Sequence, residues 1–357
     1  MSRPVTFVVV GLGSVSKSWL RVFTTSEDAE PVAFVDPDSS RFTILDDAYK
    51  SVDPDAVLIL TPPQYHARYE IEAMENLNHV IVEKPFCTEV NDLRHVLQKK
   101  RYLRDELDED LTCVVNQQYR YMEPVEAMKQ ALWSGKVGKP GFAVSVFNEP
   151  DYPFNLWWRQ QHQDISFANW YVHHIDTMRY LLGGDPERPA ARPIEVSARL
   201  FRVPWSKITG ESSIFMRVLF DNGVEWSYNA SQEGRGEGSP GLSEFTIHCS
   251  EGTIEHPRHG GPVAWTGGRK NPVKEPIDQD YEAMGFDLPP DKDHTMALFV
   301  DAVRTGKPDP RLTTFEDNKW TIAIMFCARQ SMLEGRTVNV TDYMTRVAGP
   351  FFDEKDT

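Results

Sequence analysis

The sequence of 357 residues predicts an α/β fold in two domains. The first is a parallel sheet covered by helices, and the second is an α+β domain with an open, mostly antiparallel sheet. In about the first 120 residues, continuously apolar runs alternate with helical patterns, as strands buried on both faces require. Later runs alternate polar and apolar residues and are joined by hairpin turns. The length also fits two domains of roughly 100–200 residues each.

Each element of the first half follows from its local pattern. Runs rich in Val and Ile end in Gly, Pro or Asp, and the segments between them have helical periodicity. The acidic run 105–110 is interpreted as a solvated turn before the last strand. The predicted strands are 5–10, 31–36, 56–60, 79–83 and 111–116, and the predicted helices lie near 16–23, 65–76 and 91–103.

The second half begins with a helix and continues into longer strands. Asn222-Gly223 predicts a tight hairpin turn, because this pair tolerates positive φ, whereas 234–241 and 259–290 are rich in Gly and Pro and predict long loops. We place the first domain at 1–122 and the second at 123–357. The predicted helices are 123–132, 294–305 and 315–334, and the predicted strands are 142–148, 194–203, 214–220, 224–230 and 245–249.

Composition and charge exclude several classes of partner. There are 38 Lys and Arg against 53 Asp and Glu, and a net charge of −15 repels nucleic acid and anionic membranes. No apolar run approaches the ~20 residues that span a bilayer, and no signal-peptide pattern precedes the first strand. The four cysteines form no CxxC pair, and the ten histidines show no metal-ligand spacing. We therefore expect reduced thiols in a cytoplasmic protein with no bound metal.

The first motif with a chemical role is the pair Gly11 and Gly13, which follows the first predicted strand and precedes a predicted helix. Its glycines let the backbone turn tightly and approach a pyrophosphate at the helix N-terminus, although Ser16 stands where a third glycine is usual. Asp36 ends the next strand, where a carboxylate accepts hydrogen bonds from a ribose and repels a 2′-phosphate. The pattern therefore favours NAD over NADP. The expected cofactor contacts in this region are Gly11, Gly13, Ser14, Val15 and Asp36.

A second motif combines two segments that each follow a predicted strand. Thr61-Pro62 with His66 follows one strand, and Glu83-Lys84 ends another. Open α/β sheets bind ligands at the carboxyl ends of their strands, so Lys84 can direct its ammonium group at a substrate oxygen there. The tripeptide Glu-Lys-Pro by itself is equally typical of a surface turn.

These motifs together resemble the glucose–fructose oxidoreductase, inositol dehydrogenase and MocA (Gfo/Idh/MocA) family over nearly the whole chain. The resemblance implies an N-terminal Rossmann domain that binds NAD, and a C-terminal domain that binds a carbohydrate and forms a homo-oligomer through its sheet. It adds Thr61, Pro62, His66, Glu83 and Lys84 to the expected cofactor contacts. The segments that carry the resemblance are 11–13, 61–66, 78–85, 119–121, 134–140, 158–159, 171–183, 299–302 and 331–336.

Segment 171–183 resembles the catalytic helix of that family. Its usual form places His three residues before Asp, which selects His173 with Asp176. His174 projects about 100° away on a helix and is expected to be structural. The family's Asp four residues before the histidine is Asn169 here, and an amide offers a hydrogen bond without charge, so the base is expected to be weaker. From the residues alone, His173 is more typical of a hydrogen-bonded histidine at an interface.

Further side chains are expected to contact the substrate. Aromatic faces suit a sugar ring and Arg suits an anionic substituent, although core packing explains the tryptophans Trp157, Trp158 and Trp170 equally well. Tyr119 and Arg120 follow the last strand of the first domain and are expected to line the cleft. The expected substrate contacts are Tyr119, Arg120, Trp158, Arg159, Asn169, His173 and Arg235.

The sequence leads to one main functional hypothesis and two alternatives. The main hypothesis is an NAD-dependent oxidoreductase that oxidises a hydroxyl of a sugar, polyol or glycoside, with Lys84 holding the oxygen and His173 accepting the proton over the nicotinamide. The first alternative is an NAD-dependent glycosidase that cleaves a sugar glycoside, including an anionic one, by transient oxidation, elimination and re-reduction. The second alternative is a non-catalytic NAD-binding regulator, suggested by Ser16 and Asn169.

Overall fold

The computed structural model describes residues 3–38, 44–150, 167–277 and 291–353. The first elements are β1 (Val5–Val10), α1 (Ser16–Thr25), β2 (Ala29–Val35), α2 (Leu45–Tyr49), β3 (Ala56–Ile59), α3 (His66–Glu75), β4 (His79–Glu83), α4 (Val90–Leu107) and β5 (Cys113–Asn116). They are followed by α5 (Glu123–Trp133), β6 (Pro140–Pro150), α6 (Val172–Leu182), β7 (Pro193–Phe201), β8 (Ser213–Phe220), β9 (Glu225–Gly234), β10 (Glu244–Cys249), β11 (Thr253–His256), β12 (Val263–Thr266) and β13 (Val273–Pro276). The last are α7 (Lys292–Thr305), α8 (Phe315–Glu334), β14 (Val338–Asn339) and α9 (Val340–Ala348).

A five-stranded sheet in the order β2-β1-β3-β4-β5 forms the centre of the first unit. All of its pairings are parallel, and every residue of β3 and β5 is buried. This confirms the predicted parallel sheet covered on both faces. Because the strands are parallel, their carboxyl ends share one edge. The segments that begin at Gly11, Thr61 and Lys84 therefore leave the sheet on the same side.

The chain divides into two compact units that interleave in sequence. One unit contains 1–118, 288–319 and 347–357, and the other contains 119–287 and 320–346. The division after residue 118 lies close to the boundary expected after 122. A single boundary was expected, however, and residues 288–319 and 347–357 also belong to the first unit. The reason is apolar packing: Phe299 lies 5.8 Å from Phe7, and Phe315 lies 4.3 Å from Phe86, measured between ring centroids.

Helix α4 runs further than the sequence indicated. It continues to Leu107, so the prediction of a turn is wrong for the first residues of the acidic run. Arg101 lies one helical turn before Asp105 and donates to its carboxylate at 2.9 Å, and such pairs support helix on an exposed face. The helix ends at Asp108, whose φ of 57° lies in the left-handed region.

A nine-stranded sheet in the order β13-β12-β11-β10-β6-β9-β8-β7-β14 forms the second unit. Its pairings are antiparallel except for that of β6 with β9, which confirms the mostly antiparallel prediction. The predicted hairpin turn is present, with Gly223 at a φ of 81°. The prediction of a loop over 259–290 is wrong for β12 and β13, which pair with each other. These two short strands form because they pair at the edge of a larger sheet. Their sequences are short and flanked by Gly and Pro, and so did not indicate strands.

A buried acid lies in the first unit, on α3. The side chain of Glu70 is fully buried, and neither carboxyl oxygen has a hydrogen-bond partner among the described residues. Burial, and to a lesser extent the charge of Asp92, raise the pKa of Glu70 well above its usual range. The folded protein therefore holds this carboxyl as a neutral acid.

Replacing Glu70 by Gln should make the free energy of unfolding less dependent on pH. In the unfolded wild-type chain the carboxyl ionises at about pH 4.3, whereas in the folded chain its raised pKa favours the protonated form. The stability that this group contributes is therefore complete below that pH and is lost as the pH rises toward the raised pKa. In urea unfolding at about pH 5 and about pH 9, the free energy of unfolding of Glu70→Gln relative to wild type should be higher at the higher pH. The exposed Glu75→Gln control should follow wild type, and a constant Glu70→Gln difference would contradict the interpretation.

Candidate functional site

The first part of the candidate site is the loop that connects β1 to α1. Gly11 has a φ of +95°, and a Cβ on it would lie 2.9 Å from the carbonyl carbon of Leu60, so the position requires glycine. The Gly11 N–H donates to the carbonyl of Val35 at 2.8 Å. Around Gly13, no described atom lies within 4 Å of the position that a Cβ would take. The loop is therefore open at Gly13, where a close approach by a pyrophosphate needs space.

Replacing Gly11 by Ala should damage both the fold and the cofactor loop. The added methyl group meets the backbone of Leu60 at a φ that Ala rarely adopts, and such backbone strain costs about 1–3 kcal/mol. We expect a lower free energy of unfolding in urea and weaker NAD⁺ binding by calorimetry. Gly13→Ala is the matched control, because its methyl group enters open space and should leave the stability unchanged. Wild-type stability in Gly11→Ala would refute the stated reason.

Ser16 takes the position of the usual third glycine. Its hydroxyl donates to the carbonyl oxygen of Gly13 at 2.7 Å, and its side chain is buried. This bond ties the first residue of α1 to Gly13 in the preceding loop. Ser14 is exposed and Val15 is half-buried, and the cofactor contacts expected for both stay predictions.

Asp36 follows β2 at the same edge of the sheet. One carboxylate oxygen accepts the N–H of Leu12 at 2.7 Å, and the other accepts the N–H of Asp38 at 2.9 Å. These bonds orient the carboxylate while leaving lone pairs on both oxygens for further donors. The arrangement suits the ribose hydroxyls of an adenosine, which is the role predicted for Asp36.

His66 connects the loops that follow β3 and β4. Its ring nitrogens lie 2.9 Å from the carbonyl oxygen of Thr61 and 2.8 Å from that of Pro85. The side chain is fully buried, and burial lowers the pKa of His66. The direct cofactor contact expected for His66 is therefore replaced by a structural role, because no surface of the ring is exposed to a ligand. Thr61 and Pro62 are half-buried in the loop that His66 holds.

Glu83 supports the segment that carries Lys84. Its Oε1 accepts hydrogen bonds from Nε1 of Trp19 at 2.8 Å and from Nδ2 of Asn116 at 3.0 Å. The backbone N–H of Lys84 lies 3.3 Å from the other carboxylate oxygen, and the Lys84–Pro85 peptide bond is cis. Glu83 thus fixes the backbone at Lys84, whose side chain is half-buried.

Two residues of this arrangement were missed by the sequence reasoning. Asn116 ends β5, and its Oδ1 also accepts the hydroxyl of Thr295 at 3.1 Å. Its place at the carboxyl end of a predicted strand was a usable signal. Trp19 gave no such signal, because an apolar residue of α1 is normally read as core.

The second part of the candidate site is in the second unit, at the start of α6. His173 is 4% exposed, and its imidazole stacks on the ring of Tyr119 with centroids 4.1 Å apart and planes 10° apart. Asn169 is buried in a π-helical turn formed by Phe167–Tyr171. Such turns are frequent at functional sites.

Asp176, one turn after His173, makes a buried ion pair. Arg120 donates to its two carboxylate oxygens at 2.6 and 2.8 Å, and Thr321 donates its hydroxyl at 2.9 Å. Arg120 is fully buried. The expectation that Arg120 contacts the substrate is therefore wrong, because its guanidinium serves Asp176. The sequence could not show this pairing, since the partners lie far apart in the chain.

His174 has the structural role predicted for it. Its Nδ1 lies 2.5 Å from the Tyr228 hydroxyl and its Nε2 lies 2.8 Å from the Gly241 carbonyl. Burial lowers the pKa of His174 to about 4, so the ring is neutral near pH 7. His173 is therefore the better candidate for proton transfer of the two neighbours.

The remaining predicted substrate contacts have different outcomes. Arg235 is exposed, and its guanidinium carbon lies 5.8 Å above the ring centre of Trp205. Its substrate contact stays a prediction. Trp158 and Arg159, like Trp157, lie outside the described residues.

No helix in the described ranges has both the length and the apolarity that a bilayer crossing needs. Within those ranges there is also no group of three or more His, Cys, Asp or Glu side chains arranged to hold a metal ion.

Two family models match the chain. The model described as "Oxidoreductase family, NAD-binding Rossmann fold" matches residues 5–104. The model described as "GFO/IDH/MocA C-terminal domain" matches residues 125–255. Each match falls on one of the two parts that the sequence predicted.

The chain is also similar to individual known proteins. The chain is 23% identical over 197 residues to 2,7-anhydro-N-acetylneuraminate hydratase of Mediterraneibacter gnavus, covering 52% of this chain and 51% of that protein. It is 28% identical over 187 residues to inositol 2-dehydrogenase 3 of Saccharopolyspora erythraea, covering 49% and 52%. The matched region thus spans about half the length of these relatives. An oxidoreductase from Agrobacterium radiobacter, solved with NAD⁺, L-tartaric acid and magnesium, superposes with a TM-score of 0.78 at 19% identity, covering 95% and 99%.

Proposed function

The chain belongs to the GFO/IDH/MocA family of oxidoreductases, whose first domain binds NAD, and we propose that it oxidises a hydroxyl group of a sugar or polyol with NAD⁺. The observation that carries this proposal is the edge of the parallel sheet, where the open Gly11–Gly13 loop, the oriented Asp36 carboxylate and the Lys84 segment lie together. Two relatives, an inositol 2-dehydrogenase and a 2,7-anhydro-N-acetylneuraminate hydratase, support the substrate class.

The residues of the first unit fit NAD. The absence of any described atom within 4 Å of a Cβ on Gly13 leaves room for a diphosphate above the loop. The same loop precedes the N-terminus of α1, where the helix dipole favours an anion. Asp36 would hold the adenosine ribose, with its carboxylate already oriented by two backbone N–H groups.

Lys84 and His173 would handle the proton of the substrate hydroxyl. The ammonium group of Lys84 stabilises negative charge on the reacting oxygen, because a fixed cation in a partly buried place favours the alkoxide. His173 accepts the hydroxyl proton as a general base, since imidazole titrates near neutral pH. NAD⁺ held by the loop after β1 and by Asp36 would supply the redox chemistry, as the acceptor of the hydride that the carbinol carbon loses when it becomes a carbonyl group.

A second candidate is the NAD-dependent glycosidase, in which the oxidation is reversed before product release. Asn169 suggests it, because this position usually carries an Asp in the resembling family. One relative is named a hydratase, a reaction type without net oxidation. Both candidates need the same cofactor loop and the same Lys84.

A panel assay tests the proposal and separates the two candidates. The probes are myo-inositol, D-glucose, D-glucuronate and the 4-nitrophenyl glycosides of the two sugars, each incubated with the purified protein and NAD⁺. Accumulation of NADH, read from its near-ultraviolet absorbance, is expected with a free sugar or polyol. Release of nitrophenol that requires NAD⁺ without NADH accumulation would favour the glycosidase. NAD⁺ binding without turnover of any probe would favour the non-catalytic regulator.

We also propose that copies of the chain associate through the second sheet. Along β6, Phe142, Val144 and Val146 are exposed, whereas the alternate residues Ala143, Ser145 and Phe147 are buried. One face of the sheet therefore presents an apolar stripe of the kind that marks an interaction surface. Phe215 of β8 and Ile194 of β7 are exposed as well. A monomeric mass in light scattering would contradict this association.

The expected compartment remains the cytoplasm. The four cysteines are free thiols, and a reducing compartment maintains that state.

A further inference from the structure

The ring of Tyr119 lies flat against the imidazole of His173. A separation of 4.1 Å between centroids and an angle of 10° between planes describe a close parallel stack. The face of an aromatic ring carries negative potential, so a stacked phenol attracts the imidazolium form more than the neutral imidazole. The stack therefore acts on the form of His173 that exists after proton transfer.

Arg120, the residue after Tyr119, fixes the position of the Tyr119 ring along the axis of α6. Arg120 makes its bidentate, fully buried pair with Asp176, which lies one helical turn beyond His173. Tyr119 and Arg120 belong to one 3₁₀ turn, Gln118–Tyr121. They contact His173 and Asp176, which lie on successive turns of α6. The ring of Tyr119 cannot slide along α6 without disturbing a buried ion pair, whose disruption is costly.

The carboxylate one turn after His173 is engaged by other groups. The Asp176 carboxylate is shared between Arg120 and the hydroxyl of Thr321, and residue 169 is an amide. In the described part of the chain, the ring face of Tyr119 is the group that the structure stacks on the imidazole.

We propose that Tyr119 is a positioning residue that fixes the plane of the His173 ring and stabilises its protonated form. The proposal rests on the role of His173 as proton acceptor in the proposed function. It replaces the substrate contact that the sequence suggested for Tyr119.

Kinetics of two substitutions test the proposal, using the panel probe that gives the fastest turnover. Tyr119→Phe keeps the ring face and should stay near the wild-type kcat. Tyr119→Leu removes it and should lower kcat about 10- to 30-fold, the range that a desolvated cation–π contact gives. KM for NAD⁺ should stay unchanged, because the effect proposed for Tyr119 is on the His173 ring and not on the cofactor loop. Tyr119→Met, also flexible and without a ring, should behave like Leu and serves if the Leu variant folds poorly.

The matched control removes a buried aromatic ring from another histidine of the same unit. Phe245 is buried and stacks on His256 with centroids 5.2 Å apart. Phe245→Leu loses a comparable amount of packing and should keep the wild-type kcat. An equal loss of kcat in this control would mean that Tyr119→Leu acts through general destabilisation, and it would overturn the proposal.

A spectroscopic measurement separates failure of this proposal from failure of the proposed function. In protein loaded with NAD⁺ and labelled at histidine Cε1, the ring current of Tyr119 should displace the His173 proton signal. The displacement should persist in Tyr119→Phe and vanish in Tyr119→Leu. Full turnover in His173→Ala would reject the proposed base, whereas an inactive His173→Ala together with a fully active Tyr119→Leu would reject only the positioning role.

Discussion

Lys84→Ala should lose most of its turnover while still binding NAD⁺. The substitution removes the cation proposed to stabilise the alkoxide, and loss of one such stabilising group costs roughly 10²- to 10³-fold in kcat. The backbone at position 84 stays in place, because the contacts of His66 with Thr61 and Pro85 and the hydrogen bonds of Glu83 do not involve the Lys84 side chain. Steady-state kinetics with the active panel probe and calorimetry with NAD⁺ are the two measurements.

Lys99→Ala is the control for Lys84→Ala. Lys99 lies on α4, and its ammonium pairs with Glu75 at 2.8 Å away from the sheet edge described above. This variant should keep both turnover and NAD⁺ affinity. Unimpaired turnover in Lys84→Ala would remove Lys84 from the mechanism. Equal loss of turnover and NAD⁺ affinity would instead assign it to cofactor binding.

Arg120→Ala should have the largest effect on stability. It removes the guanidinium that holds both oxygens of the buried Asp176 carboxylate and leaves the more distant guanidinium of Arg179, at 3.9 Å, as its charged neighbour. Breaking a buried pair lowers the free energy of unfolding by about 3–5 kcal/mol. Urea unfolding gives the value directly. Because Arg120 also anchors the turn that carries Tyr119, the variant should lose turnover even at temperatures where it remains folded.

A second ion pair provides the comparison. Arg217 pairs with Glu225 at 2.6 Å on the exposed side of the second sheet, and exposed pairs contribute little to stability. Arg217→Ala should therefore unfold almost like wild type. If the two alanine variants lost the same free energy, burial would not be the reason for the effect at Arg120. Replacing both Arg120 and Asp176 by apolar residues should recover part of the lost stability, because the Asp176 carboxylate is then no longer buried without Arg120.

The arrangement of His66 and Glu83 changes how the sequence motifs are understood. Both were expected to touch the cofactor, since both lie in segments that leave the parallel sheet at its binding edge. The structure buries the ring of His66 and commits Oε1 of Glu83 to Trp19 and Asn116. These residues hold the loops in which Thr61 and Lys84 are presented. A motif therefore identifies a binding edge without separating the residues that contact a ligand from those that support the loops.

The sequence by itself determined the two classes of sheet, the hairpin at Gly223, the glycine loop after β1 and the structural role of His174. These features depend on residues close together in the chain: the period of apolar side chains, the φ that glycine allows, and the 100° rotation between helical neighbours. The tertiary structure alone decided that Arg120 serves Asp176, that Tyr119 stacks on His173, and that Phe299 and Phe315 pack with the first unit. Each of these contacts joins residues distant in sequence, and their approach depends on the path of the whole chain, which local propensities do not contain.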